Sequence, residues 1–86
     1  MPEISRFFGI IVKMYFIGSE HNPPHLHAEY NEYKIEVNIN TTKIIAGSLP
    51  KREKILLLTW IKEHQAELLE IWYKQKFKKI KSLEEV

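Results

Sequence analysis

The run His25-Leu26-His27-Ala28-Glu29-Tyr30-Asn31-Glu32-Tyr33-Lys34-Ile35-Glu36-Val37-Asn38-Ile39 decides the fold. Apolar and polar residues alternate on both sides of Asn31-Glu32, the pattern of two half-buried strands. In the first, Leu26, Ala28 and Tyr30 share one side, and His25, His27 and Glu29 share the other. In the second, Tyr33, Ile35, Val37 and Ile39 face one way, and Lys34, Glu36 and Asn38 face the opposite way. Asn31-Glu32 has hairpin spacing, and Asn tolerates the left-handed backbone that a tight turn needs. The segment therefore reads as an antiparallel hairpin with one apolar and one polar face.

Working outward, 7–17 is expected to be a long first strand, with Phe8, Ile10, Val12, Met14 and Phe16 on one face. Gly18-Ser19-Glu20 and the Asn-Pro-Pro unit make the connecting loop. The next strands fall at 25–31 and 33–40, followed by a weaker one at 43–49. From Pro50 the period lengthens to that of a helix over 51–76, with Leu57, Trp60, Ile61, His64, Leu68, Ile71 and Trp72 as its apolar stripe. The expected fold is α+β: a four-stranded antiparallel meander with one long C-terminal helix on one face, then a basic tail. The other sheet face is left to water, a partner or a second copy in a homo-oligomer.

Composition narrows the classes. Eighty-six residues, 44% of them hydrophobic and 12% aromatic, suit one small globular domain over 1–86. The chain has no cysteine, which excludes disulfides and thiolate ligands. No apolar run approaches the roughly 20 residues that span a membrane, and Met1 to Arg6 lack the order of a signal peptide. A cytoplasmic protein without membrane contact is expected. A net charge of +2 does not by itself imply nucleic acid. Five lysines between Lys74 and Lys81, interleaved with Phe77 and Ile80, suit an RNA backbone or an acidic protein, or simply a solvated helix end.

Three of the four histidines lie in His21-Asn22-Pro23-Pro24-His25-Leu26-His27. His25 and His27 project to one face of a strand, ~6.5–7 Å apart at the backbone. That spacing lets two imidazoles flank one substrate or ligate one metal. Glu29 continues the row, as a third ligand or to orient an imidazole. His21 stands beyond a stiff Pro-Pro spacer, ~12 Å away if the spacer is extended. An acid–base or contact surface is therefore expected, with no cofactor; a divalent metal on His21, His25 and His27 is the alternative. Arg6 is a candidate anchor for phosphate or carboxylate. Lys13 and Lys34 would offset phosphate charge; Tyr15 reads as a sheet-packing residue, or as a stacking or catalytic group if it lies beside the histidines. His64 reads as a hydrogen-bonded core residue, or else as a group tuning the histidine row.

The segments Ile4-Ser5-Arg6-Phe7-Phe8-Gly9-Ile10, Met14-Tyr15, His21 to Tyr30 and Leu49-Pro50-Lys51-Arg52 resemble a bacterial family catalogued as domain of unknown function 4160. The helix residues Trp60, His64, Glu67, Leu68 and Trp72 are similar as well, so the resemblance covers nearly the whole chain. It implies a small stand-alone protein encoded beside a partner. Such pairs are described as type II toxin–antitoxin modules, with this family as the DhiT-like toxin and a cognate antitoxin as its partner. The resemblance brings no assigned active site. The expectation is a toxin acting on RNA or translation through its histidine face, with His25 and His27 as acid and base if it is a ribonuclease. A non-enzymatic protein-binding module and a metal-dependent hydrolase are the alternatives.

Overall fold

A computed structural model describes residues 3–15, 23–74, 76 and 79–83. The hairpin forms as read. β3 (His25–Tyr30) and β4 (Tyr33–Asn38) pair antiparallel around Asn31, whose φ is 53°. Leu26 faces Val37 and Ala28 faces Ile35 on the buried side. His27 faces Glu36 and Glu29 faces Lys34 on the other.

The sheet has five strands, in the order β1-β2-β3-β4-β5 with every pairing antiparallel. The expected four-stranded count fails at 7–17. Phe7 ends β1 (Glu3–Phe7), Phe8 and Gly9 turn, and β2 is Ile10–Lys13; Met14 and Tyr15 follow it outside any strand, and Phe16 and Ile17 lie outside the described residues. Both turn residues have positive φ, 50° and 79°, the backbone of a two-residue hairpin loop. Phe8 looks like a strand residue by type but sits in the turn, with the Arg52 guanidinium 5.6 Å from its ring centre. The last strand, β5 (Ile44–Gly47), lies within the expected 43–49. Asn38 shapes the turn before it: its Oδ1 accepts the N–H groups of Asn40 and Thr41 at 2.8 and 3.1 Å.

The expected single helix over 51–76 is two: α1 (Lys51–Glu63) and α2 (Gln65–Lys74). His64 is the joint, at φ −116°. Its N–H is shared between the carbonyls of Trp60 and Ile61, at 3.1 and 3.2 Å, while its own carbonyl accepts from Leu68. The hydrogen-bonded column thus continues through a bend. Two contacts favour it. The Gln65 side-chain amide donates to the carbonyls of Ile39 and Asn40 at the end of β4, and His64 Nδ1 lies 2.8 Å from Glu67 Oε1. The bend directs α2 past the His25 end of the sheet.

The helices cover one sheet face. Ile4, Phe7, Ile10, Val12, Leu26, Val37, Leu57, Trp60, Ile61 and Leu68 are all buried in one core, with Phe7 and Trp60 rings 5.3 Å apart. The segment after α2 is not wholly a solvated tail. Ile80 is buried and its N–H donates to Ile4 O at 3.0 Å, while Trp60 Nε1 donates to Lys81 O at 3.0 Å. Trp72 and Ile80 are therefore core residues, while Tyr73 and the lysines at 74, 76, 79 and 81 are exposed. Among the described residues no helix is long and apolar enough to cross a membrane.

Candidate functional site

The uncovered face of the sheet carries the polar residues in two cross-strand rows. One runs Glu3, Lys13, His27, Glu36 and Ala46 from β1 to β5; the other runs Arg6, Ile11, Glu29 and Lys34. Period-two alternation puts the side chains of β2, β3 and β4 on one face, the register shift between Glu3 and Ser5 lets both Glu3 and Arg6 join it from β1, and antiparallel register places the rows opposite one another.

His25, His27 and Glu36 converge there. One ligand atom from each lies within 4.8 Å of the other two. The two imidazole rings are 5.3 Å apart, and His27 Nδ1 is 3.4 Å from Glu36 Oε1. Burial holds the His27 imidazole below the ordinary histidine range, against the pull of the Glu36 carboxylate. His25 Nδ1 lies 2.9 Å from the Pro23 carbonyl oxygen. A carbonyl only accepts, so Nδ1 is the donor, which turns Nε2 away from it as the nitrogen left for another contact. The Pro-Pro unit thus places an imidazole, as its stiffness suggested. Pro23 holds the His25 ring, and the Pro24 carbonyl accepts from Ile39 N–H at 2.9 Å.

Aromatic rings brace both imidazoles. Tyr15 meets His27 edge-on at 4.5 Å, and Trp72 lies 5.1 Å from His25. Tyr15 therefore occupies the expected place beside the histidines. Below this cluster an open groove of about 480 Å³ runs along the sheet, lined by Tyr15, His27, Glu29, Lys34, Glu36 and Ala46.

Other candidates are positioned differently. Glu29 lines the groove, but its carboxylate is 3.1 Å from Lys13 Nζ, an ion pair that raises the lysine pKa through that hydrogen bond. Glu36, from the neighbouring strand, is the acid that joins the histidines. Lys34 lines the groove, and among the described residues it has no ion-pair partner. The Arg6 guanidinium is held by Glu3 at 2.7 Å, which lowers the carboxyl pKa of Glu3 and raises that of Arg6. His64 stays at the helix joint, against Trp60 and Glu67, and does not join the histidine row. His21 lies outside the described residues.

Sequence reasoning missed Glu36 and Trp72. The hairpin turn at Asn31-Glu32 carried the signal for Glu36, because a two-residue turn sets 30 opposite 33 and hence 27 opposite 36. Trp72 reaches His25 only through the bend at His64, which no residue pattern announces.

A search among curated proteins and a search among solved structures find no match. The model of a family described as a domain of unknown function (DUF4160) matches residues 9–73, a span that holds His25, His27, Glu36 and Trp72, and the chain belongs to that family.

Proposed function

We propose that this chain is the toxin of a type II toxin–antitoxin module and acts on RNA at its His25–His27–Glu36 face. The carrying observation is the convergence of two imidazoles and a carboxylate at the end of an open groove that His27 and Glu36 line. A groove open along the sheet suits a polymer better than a small metabolite, which pockets enclose. Lys34 supplies a cation for a phosphate at its rim, and Tyr15 an aromatic edge for a base. The reaction class is cleavage beside a 2′-hydroxyl. The 2′-oxygen attacks phosphorus, the phosphorus–O5′ bond breaks, and the proton lost by the nucleophile is matched by one gained by the leaving oxygen. Imidazoles promote such a step as proton carriers, typically by ~10² to 10⁴-fold, or as ligands of a metal that activates the oxygens.

The antitoxin that this reading requires is the expected partner. β5 is one of the two sheet edges, with no further strand paired to it among the described residues, and Ile44 and Ile45 are exposed on it.

The test is expression without antitoxin of the wild type and of the H25A/H27A double variant. The double variant is expected to lose toxicity and RNA cleavage while still melting cooperatively. A double variant that folds and remains fully toxic would overturn the reading.

A further inference from the structure

We infer that His25, His27 and Glu36 form a binding site for one first-row divalent transition metal, of the zinc class. Two imidazole nitrogens and a carboxylate oxygen are the ligand set such ions take, and hard ions such as calcium prefer all-oxygen sites. Ligands around a tetrahedral ion at ~2.0–2.1 Å lie about 3.3 Å apart. The three ligand atoms here are within 4.8 Å of one another. They need close by about 1.5 Å at most, a distance that a rotation of the part-exposed Glu36 side chain about its own bonds covers.

The surroundings are those of ligands held in place. Metal-bound histidines characteristically donate their second ring N–H to a carbonyl or carboxylate, which fixes the tautomer and aims the other nitrogen. His25 does this with the Pro23 carbonyl. Trp72 and Tyr15 pack on the two rings and restrict their rotation. Lys13 stands opposite His27 in register, but its ammonium is drawn to Glu29 and so does not compete for Glu36. Three protein ligands leave coordination positions open to water or substrate, as in catalytic rather than structural zinc sites.

Charge on the face gives the ion a purpose. Arg6, Lys13 and Lys34 are matched there by Glu3, Glu29 and Glu36. A face so balanced has little pull on a phosphodiester, and Glu36 beside the histidines repels one. A divalent ion reverses that sign where the reaction would occur and polarises a phosphate oxygen. This second step rests on the RNA reading above; the metal site itself does not.

The experiment is titration of untagged, chelator-treated protein with Zn²⁺ by calorimetry and with Co²⁺ by visible absorption. One equivalent per chain is expected, with the ligand-field bands of bound Co²⁺. H27A and E36A are expected to weaken binding by more than about tenfold, while H64A, at the helix joint away from the site, leaves it unchanged. H25A also removes a ring packed on Trp72, so the conclusion is carried by H27A and E36A, whose melting is checked in parallel. Binding below one equivalent, or binding unchanged in H27A and E36A, overturns the site. RNA cleavage is then measured with Zn²⁺ and with excess chelator. One equivalent bound without cleavage removes the RNA reading and keeps the metal; cleavage in chelator, with no metal bound, does the reverse.

Discussion

At the scale of single residues, Gly47 is the position where side-chain chemistry is least negotiable. Its φ is 76°, in the left-handed region, and a Cβ there would fall on the carbonyl oxygen of Lys34. Neither difficulty can be relieved by rotating a side chain, because the obstacle is backbone of the central hairpin. Gly47→Ala is expected to destabilise the fold by more than about 2 kcal/mol. Urea unfolding checks this: the midpoint falls while the denaturant slope stays near that of the wild type. Gly9 also has positive φ, at 79°, but an added Cβ there meets only the Tyr30 ring, at 3.2 Å. The histidine face shows how far residues could be read in advance. Alternation puts His25, His27 and Glu29 on one face, but the carboxylate beside the two imidazoles is that of Glu36. Alternation along one strand does not say which partner wins a carboxylate, and Lys13, from β2, takes Glu29.

At the scale of elements, the turns and joints were harder to see than the strands and helices. The central hairpin was legible because both its strands alternate and its turn contains Asn. The Phe8-Gly9 turn was not, because Phe8 fits a strand and only one glycine interrupts an otherwise apolar run. The helix bend was hidden for a different reason. Its stripe keeps helical spacing through His64, and the forces that bend it come from the sheet. Gln65 is the residue through which they act, with its amide donating to Ile39 O at 2.8 Å and Asn40 O at 2.9 Å. Gln65→Ala leaves both carbonyls to find water at a half-buried joint. The expected cost is about 1–2 kcal/mol, seen as a lower thermal midpoint. Gln65→Glu is expected to do no better, since a carboxylate at neutral pH accepts and cannot donate to those carbonyls.

At the scale of the whole molecule, the sheet separates stability from chemistry. The helices and the segment around Ile80 consolidate one face and one edge, while His27, Glu36 and the groove occupy the other face; the two meet at the His25 end, where core Trp72 packs on the imidazole. Small domains have little stability to spare, so the closure of the β1 edge by residues late in the chain matters. Ile80 buries its side chain in the core, donates its N–H to Ile4 O, and is followed by Lys81, whose carbonyl receives Trp60 Nε1. Glu3 adds charge to the same closure, 3.8 Å from Lys79 Nζ. Ile80→Ala is therefore expected to cost about 2–4 kcal/mol, more than its place outside any helix or strand suggests. The loss should appear as a lower urea midpoint and as faster hydrogen exchange at Trp60 Nε1, whose acceptor is the next residue's carbonyl. Metal affinity, measured where the variant is still folded, should match that of the wild type, because Ile80 contacts the core and the three candidate ligands lie on the opposite face. An Ile80→Ala variant with unchanged stability would mean that the β1 edge is closed by other means. A variant that stays folded but loses the metal would show that the two faces are coupled through the sheet.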